Sequence, residues 1–495
     1  MKVLIIGSGA SGLASLKTAL EHSHRRTLEV YGATKMAQAK KGSVMYSTVI
    51  NTSKEMTVIF KDMRNISTCL NTFKFQHKVV NAERSKAFAE TGKWVVKYSE
   101  AEGNLLTEVF DAIFSCTGHH SIPYMPSPFP GQSDFKGRIV HSRSYTNGLE
   151  FANQRVLVIG IGNSGGDIAV ELSKISRKVY LATRSGSWII NRVWNYGEPS
   201  DLALLSRFNY FIKNVSPKWL QNKILEDKIN RRFDHARFGL KPTHRFLEAH
   251  VTVNDELPNR IISGTIVVKP NVASFTENGV VFEDGTSIDD VDTVIFATGY
   301  SFAFPYLEDG KLIEVNENRV MLYKLMFLPE LAPRNTLAVI GLIQPTGSIM
   351  PISEMQARLF CSVLCGRTTL PTPPEMMKKA LKLNNKNNKH FKVSRRHTLQ
   401  VNYVDYMEDL AKMTKVQPNV AKYFLTDPKL AIHLTFYGLV PYQYRLEGPH
   451  KWSEARKNII EFDKRVFECT RTRLTAETSK AKPRNKLLGI VSLVR

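Results

Sequence analysis

The sequence predicts an α/β protein with two Rossmann-like dinucleotide-binding domains and a helical insert in the second. Two GxGxxG turns, beginning at Gly7 and Gly160, each follow an apolar strand and precede a helical stretch. Two more apolar strands, at residues 112–118 and 291–300, end in small-residue turns, each downstream of one GxGxxG turn. Since each turn and its late strand bracket one dinucleotide fold, we expect two separate nucleotide sites.

The first glycine turn lies at residues 2–13, where an apolar strand runs into Gly7, Gly9 and Gly12. In a Rossmann turn the first glycine permits the tight bend and the second lets the backbone approach a pyrophosphate. The third allows close packing of helix on strand. The helix that follows is predicted to end near Glu21, and its amino terminus favours anions. The flanking strand and helix favour nucleotide binding over a chance glycine-rich loop.

The second turn, at residues 155–167, repeats the pattern after another apolar strand and leads into a predicted helix at 168–175. Its glycines are Gly160, Gly162 and Gly165. The next strand, 179–183, ends in Arg184, where an NAD site carries an acidic residue. A guanidinium there suits a 2′-phosphate, so the sequence favours NADPH over NADH. A surface arginine at a strand end is the alternative.

Composition narrows the class of protein. The 495 residues suffice for two or three domains, and the five scattered cysteines predict neither disulfides nor a metal site. The net charge of +23 favours anionic partners. Aromatic residues do not alternate with the basic ones, so no nucleic acid partner is expected. The start of the chain predicts a strand rather than a signal peptide, and no window reaches the roughly 18 apolar residues of a spanning helix.

Residues 135–145 match FxGxxxHxxxY, a fingerprint of class B flavoprotein monooxygenases, placed just before the second glycine turn. Further segments match the mammalian-type branch of that group, at residues 49–56, 233–235, 257–264, 296–302 and 341–345. The sequence therefore resembles the flavin-containing monooxygenase family, in its dimethylaniline monooxygenase branch. The resemblance is nearly continuous from about residue 109 to residue 452.

The resemblance implies FAD and NADPH as cofactors and O2 as co-substrate. Hydride would pass from NADPH to FAD, and a C4a-hydroperoxyflavin would then oxygenate nitrogen, sulfur or carbonyl centres of small lipophilic molecules. In such an enzyme the cofactor supplies the reactivity, while the protein orients the reactants and excludes water. The resemblance also implies peripheral contact with the endoplasmic reticulum membrane, where a basic tail and amphipathic helices would help.

The resemblance assigns individual residues. Asn51 is the implied catalytic residue, because its amide can donate and accept hydrogen bonds without titrating; from the residues alone it would be read as a turn residue. The implied FAD contacts are Gly7, Gly9, Ala10, Ser11, Gly12, Leu13, Asn51, Thr52 and Gln344. The implied NADPH contacts are Ile50, Asn51, Gly160, Gly162, Asn163, Ser164, Gly165, Gly166, Asp167 and Arg184. The fingerprint residues with a structural role are Phe135, Gly137, His141 and Tyr145. We expect His141 to link the two domains rather than transfer protons.

We expect four parts along the chain. Residues 1–148 would form the first part of an FAD domain and 149–300 the NADPH domain, with a helical insert at about 201–265. Residues 301–447 would complete the FAD domain, and 448–495 would form a peripheral basic tail. The insert would either shape the substrate entrance and touch membrane or simply pack on the core.

The first site departs from the family pattern. An acid for the adenosine ribose is expected about 20 residues past the last glycine, yet the sequence there offers Val30, Tyr31 and Gly32, with Glu29 placed too early. Residues 33–41 lack the family's Gly-Gly-x-Trp segment, and the stretch from Met56 to Trp94 is short. The sequence therefore predicts weaker binding of FAD than of NADPH. It leaves open an inactive NADPH-binding relative with a damaged FAD site.

Overall fold

The computed structural model of the chain describes residues 1–7, 9–22, 30–31, 73–74, 77–100, 103–390 and 394–473. Two parallel sheets organise these residues. We call the part built around the first sheet the first half, and the part built around the second sheet the second half.

The first sheet has a central strand, Ala112–Ser115, which pairs in parallel with Val3–Ile6 on one side and Leu337–Val339 on the other. Every residue of these strands is buried. Burial on both faces explains why the sequence shows continuous apolar runs instead of an alternating pattern. A short parallel pair joins Val30–Tyr31 to Phe73–Lys74.

The second sheet has five strands, all parallel to their neighbours. Their spatial order is Ile266–Lys269, Lys178–Ala182, Arg155–Ile159, Thr293–Phe296 and Arg138–His141. The edge strand Arg138–His141 lies before residue 148, so the second sheet begins earlier in the chain than the proposed domain boundary. With helices packed on both sheets, the predicted fold class, an α/β protein with two Rossmann-like folds, is confirmed.

Two short strands connect the halves. Ile122–Pro123, after the first sheet's central strand, pairs antiparallel with Tyr300–Ser301, which follows the second sheet. The chain thus enters and leaves the second half side by side. The other strands form small sheets or pairs: Lys78–Arg84, Trp94–Ser99 and Leu105–Phe110; Val272–Phe275, Val280–Phe282 and Ser287–Ile288; Ile189–Ile190 with Thr252–Val253; and Gln344–Pro345 with Gln400–Val401.

The described helices follow the apolar spacing of the sequence. Their bounds are Ala10–His22, Phe88–Thr91, Asn163–Leu172, Ser200–Leu204, Arg207–Val215, Lys218–Asn230, Leu257–Ile262, Ile349–Leu364, Pro373–His390, Tyr403–Met413, Val420–Thr426, Pro428–Phe436, Ala455–Ile460 and Phe462–Val466. Within the described ranges, every helix is too short or too polar to cross a lipid bilayer.

The predicted insert and tail both pack on the first half. Arg207, at the start of a helix of the insert, donates from Nε to Glu408 Oε1 at 2.9 Å and from a terminal nitrogen to the Leu434 carbonyl at 2.7 Å. In the tail, Ala455 and Ile459 are buried in a cluster with Leu434. This part of the predicted tail packs on the protein because its apolar residues four apart face this cluster. The division of the chain into four parts remains a prediction.

Candidate dinucleotide-binding sites

The first glycine turn is closely packed at its ends and open in the middle. Gly7 has a φ of +109°, and a Cβ added to it would lie 2.5 Å from the carbonyl oxygen of Cys116. A Cβ on Gly12 would lie 1.9 Å from the carbonyl oxygen of Gly7. A Cβ on Gly9 would meet no described atom within 4 Å. The first and third glycines are thus required by packing, whereas the second is not crowded by any residue that the structure describes.

The second turn has nearly the same geometry. Gly160 has a φ of +111°, and its added Cβ would lie 2.6 Å from the carbonyl oxygen of Ala297. A Cβ on Gly165 would lie 1.9 Å from the carbonyl oxygen of Gly160, and one on Gly162 would meet no described atom within 4 Å. Each turn therefore leaves an open space beside its middle glycine at a helix amino terminus, which fits the pyrophosphate of one dinucleotide.

The helix after the first turn begins at Ala10, which is exposed at the open side of the turn. Leu13 donates its backbone N–H to the carbonyl of Gly9 at 3.0 Å, which closes the first helical turn. The two predicted FAD contacts Ala10 and Leu13 thus lie directly beside the open space.

The segment that contains Gln344 packs close to the same turn. A Cβ on Gly341 would lie 2.0 Å from Ser11 Oγ, and this hydroxyl is bonded to Ser353 Oγ at 2.9 Å. Gln344 is partly exposed, and its backbone N–H donates to the carbonyl of Leu399 at 2.9 Å. The structure therefore brings Ser11 and the 341–345 segment together, as an FAD site requires.

A buried ionic network holds the first helix to the rest of the first half. Glu354 lies 4.0 Å from Lys17 Nζ and accepts from Arg445, which also lies 3.3 Å from Glu21. Burial raises the pKa of Glu354, but Lys17, Arg445 and Arg358 outweigh it and hold this pKa well below its usual range. Glu354 is therefore ionised, and its charge is shared among several cations.

A different network holds the second turn. Both carboxylate oxygens of Asp167 accept from Arg192 at 3.2 Å, and Oδ1 also accepts from Asn254 Nδ2 at 2.8 Å. Asn163 Oδ1 accepts from the backbone N–H of Val253 at 2.9 Å. Burial raises the pKa of Asp167, and Arg192 and Asn254 oppose this shift. The side-chain oxygens of Asn163 and Asp167, both predicted NADPH contacts, thus bind protein groups that fix the turn.

The other predicted NADPH contacts of this half lie at the carboxyl edge of the second sheet. Ser164 is exposed in the first turn of the helix, and Gly166 is buried beside it. Arg184 is exposed and follows the strand Lys178–Ala182. This edge is where ligands bind in open α/β sheets.

The fingerprint residues Phe135 and Gly137 form a packing unit. A Cβ on Gly137 would lie 2.4 Å from the Phe135 ring and 2.8 Å from the carbonyl oxygen of Val291. The buried Phe135 ring also meets Phe275 edge to face, with 5.4 Å between centroids. Glycine is therefore needed because the aromatic ring folds back over the backbone, and this part of the fingerprint is structural.

His141 joins the end of the second sheet to the linker strands. Its Nδ1 accepts from the backbone N–H of Arg143 at 3.0 Å, so the ring proton lies on Nε2, which donates to the Gly299 carbonyl at 3.0 Å. Burial lowers the pKa of His141, which keeps the ring neutral. The Tyr145 ring stacks on Phe151, with 5.6 Å between centroids. Both residues have partners within the protein that suit a structural role.

A histidine pair at the carboxyl end of the first sheet was missed by the sequence analysis. Burial and the neighbouring His120 lower the pKa of His119 to about 3, while a hydrogen bond with Gly341 opposes this shift. The rings of His119 and His120 are 4.1 Å apart, and His120 is 5.1 Å from the Tyr300 ring. The signal was available, because both histidines directly follow Gly118 at the end of a predicted parallel strand.

Several predicted contacts lie outside the described residues. They are Ile50, Asn51 and Thr52, together with Glu29, Gly32 and residues 33–41 that mark the departure from the family pattern. The roles assigned to them remain predictions.

Known proteins are similar to this chain in sequence. The model of a family described as flavin-binding monooxygenase-like matches residues 59–494. Flavin-containing monooxygenase 5 of Homo sapiens is 44% identical over 509 residues, which cover 97% of this chain and 95% of that protein. Dimethylaniline monooxygenase (N-oxide-forming) 2 of Mus musculus is 39% identical over 523 residues, which cover 100% and 97%. The names of these relatives give no support to the alternative of an inactive NADPH-binding relative with a damaged FAD site.

Solved structures share the fold. S-allyl-L-cysteine S-oxygenase from Allium sativum matches with a TM-score of 0.58 at 21% identity, over 93% of this chain and 99% of that one. The complex of OTEMO with FAD and NADP matches with a TM-score of 0.59 at 14% identity, over 83% and 97%. At these identities the likeness concerns the fold.

Proposed function

The chain belongs to the flavin-containing monooxygenase family, and from this premise we propose that it oxygenates soft nucleophilic nitrogen or sulfur centres of lipophilic small molecules. It is a flavin monooxygenase that uses FAD and NADP(H). The substrate class is supported by a relative named for forming the N-oxide of dimethylaniline. Carbonyl centres are a further option within the same proposal.

The observation that carries the proposal is the pair of matching glycine turns. Gly9 and Gly162 both face open space at a helix amino terminus, while their neighbours are fixed by backbone contacts. The first turn lies beside Ser11 and the 341–345 segment, and we assign it to FAD. The second lies beside Arg184, and we assign it to NADPH. When bound and reduced, the flavin supplies the oxygen-transferring chemistry.

The protein's own residues bind, orient and exclude water. Backbone N–H groups of the two helix amino termini would hold the pyrophosphates. The neutral His141 keeps the turn at Gly299 next to the edge strand of the second sheet, where the connecting strand Tyr300–Ser301 begins. His119, partly buried and neutral at pH 7, adds a titratable ring at the carboxyl end of the first sheet without adding charge. We assign Asn51 to the flavin and nicotinamide on the family resemblance.

The test is coupled turnover. Purified protein with FAD and NADPH is given a tertiary amine, a thioether and a cyclic ketone, and oxygenated product is measured by mass spectrometry alongside NADPH oxidation. We expect product from the amine or the thioether. NADPH oxidation that no substrate increases, with no oxygenated product, would contradict the proposal. Flavin content, measured by absorbance in the same preparation, separates a missing cofactor from a wrong substrate.

We also propose peripheral contact with the endoplasmic reticulum membrane. In the helices Arg207–Val215 and Lys218–Asn230, the apolar side chains of Phe211, Val215 and Trp219 are 60%, 62% and 64% exposed. Lysines flank them, as membrane-surface helices require. We expect the double variant Phe211→Ser with Trp219→Ser to lose sedimentation with anionic phospholipid vesicles. Leu425→Ser, at a site 88% exposed elsewhere, is the control. Equal sedimentation of all three proteins would refute membrane contact through these helices.

A further inference from the structure

Two arginines from different halves lie at the carboxyl edge of the second sheet without an anionic partner. Arg184 follows the strand Lys178–Ala182, and Arg396 lies in the first half, shortly before the strand Gln400–Val401. Both residues are exposed at the surface, although the surrounding protein partly desolvates the guanidinium of Arg396. Among the residues that the structure describes, neither guanidinium forms an ion pair or a side-chain hydrogen bond. Two uncompensated cations of this kind favour an anion between them.

The position of Arg396 is fixed by contacts on both sides of its loop. The adjacent His397 accepts from the backbone N–H of His250 at 3.2 Å, and Leu399 accepts from Gln344 at 2.9 Å. His250 lies two residues before Thr252–Val253, which pair with Ile189–Ile190, close in the chain to Arg184. This brings the first-half loop over the edge of the second half.

The electrostatics of Arg396 agree with this placement. The pKa of Arg396 is lowered by desolvation and then by the positive charge of Arg184. Burial, followed by the charges of His397 and Arg396, lowers the pKa of His250 to about 4, so this histidine adds no positive charge at pH 7. The guanidinium groups stay charged at neutral pH and repel each other.

Arg395 is the informative contrast to Arg396. Its Nε lies 3.0 Å from Glu317 Oε2, and its guanidinium stacks over the Tyr124 ring at 4.4 Å from the centroid. One of two adjacent arginines is thus bound within the first half, while the other is left free at the edge of the second.

We propose that Arg396 reaches across from the first half to complete, with Arg184, the site for the 2′-phosphate of NADPH. This inference rests on the proposed use of the second turn by NADPH. A phosphate monoester dianion satisfies two guanidinium groups at once, each through paired N–H donors. Since the two arginines belong to different halves, the bound phosphate also ties the halves together.

The test compares two ligands that differ only in this phosphate, adenosine 2′,5′-bisphosphate and adenosine 5′-monophosphate, by calorimetric titration of the full chain. We expect Arg396→Ala to weaken the bisphosphate about tenfold, as loss of one charge-assisted interaction does, and to leave the monophosphate unchanged. Arg396→Lys should recover part of the loss. Arg177→Ala, at the other end of the strand that precedes Arg184, is the matched control and should bind like wild type.

The outcomes distinguish a failure of the inference about Arg396 from a failure of the proposed NADPH site. If wild-type protein prefers the bisphosphate and Arg396→Ala keeps that preference, the inference about Arg396 is wrong while NADPH use stands. If wild-type protein shows no preference, the proposed NADPH site itself fails. If inorganic phosphate binds to the wild type as tightly as the bisphosphate and is lost in Arg396→Ala, the pair binds free phosphate and the inference is overturned.

Discussion

The two glycine turns have almost the same backbone geometry, yet they are supported in different ways. The first is held by residues far away in the sequence, since Ser11 and its partner Ser353 are 342 residues apart. The second is held by residues that are nearer in the sequence, since Arg192 is 25 residues and Asn254 is 87 residues from Asp167. A nucleotide-binding turn is therefore a local feature, but its support need not be. The first half depends on a buried ionic network, and the second on a hydrogen-bonded clamp around one partly exposed carboxylate.

Removing the buried carboxylate should give the largest effect. Glu354→Gln removes the buried anion that Lys17, Arg445 and Arg358 share, and we expect a loss of about 3 kcal/mol in the free energy of unfolding. Glu314→Gln, at an exposed carboxylate, is the control. Urea denaturation at pH 7 measures both variants. A loss no greater than that of Glu314→Gln would show that the first helix is not held by this network.

For Glu354→Gln we also predict a dependence of stability on pH. Because the folded-state pKa of Glu354 is depressed, its contribution is complete above its unfolded pKa of about 4.3 and is lost as pH falls through the folded value. The stability difference between wild type and Glu354→Gln should therefore narrow on acidification below about pH 4.

The third glycines test whether the turns are equivalent. Gly12→Ala and Gly165→Ala each place a Cβ 1.9 Å from a backbone oxygen, and we expect each to cost about 1–3 kcal/mol through overpacking. Gly12→Ala should lower bound FAD and spare adenosine 2′,5′-bisphosphate binding, and Gly165→Ala should do the reverse. Gly166→Ala is the control for the cost in stability alone, since its Cβ would lie 3.5 Å from Thr252, an ordinary contact. Loss of both ligands in either variant would mean that the halves are not independent.

The hydrogen-bonded clamp around Asp167 should contribute less stability than the ionic network. Asn254 is buried, donates to Asp167, and accepts from the backbone N–H groups of Glu256 and Leu257 at the start of a helix. We expect Asn254→Ala to cost about 1–2 kcal/mol, the value of a helix cap. Asn259→Ala, exposed on the same helix, should cost far less. Thermal unfolding measures both variants. Equal losses of stability would show that the clamp does not stabilise the second turn.

The hydrogen bonds of His141, beside the strands that connect the halves, should give the smallest effect. His141→Phe removes the bonds to Arg143 and Gly299, and we expect about 1 kcal/mol at pH 7. Because burial depresses the pKa of His141, its contribution is present above its unfolded pKa of about 6.5 and is lost as pH falls. Denaturation at pH 8 and pH 5 should show a smaller difference from wild type at pH 5. A difference that does not change with pH would show that the ring acts by packing alone.

The local features were predictable and the long-range ones were not. Gly7 and Gly160 were recognised from spacing, because a short apolar run and three glycines encode the turn within one segment. The strand Arg138–His141 was not recognised as part of the second sheet, since it is short and only His141 within it is buried. The pairing of Glu354 with Arg445 has no local signal, because neither residue's neighbours specify its partner. The free Arg396 could be distinguished from Arg395 only once their surroundings were known.

The antiparallel pairing of Ile122–Pro123 with Tyr300–Ser301 has a consequence for synthesis on the ribosome. Everything between these strands leaves and rejoins the first half at one place, so the second half is an insertion with adjacent ends. Its sheet is complete once Phe296 has been made, whereas the first sheet waits for the strand Leu337–Val339. The amino-terminal strand Val3–Ile6 is thus among the earliest segments to be translated, but the sheet to which it belongs is the later of the two to close.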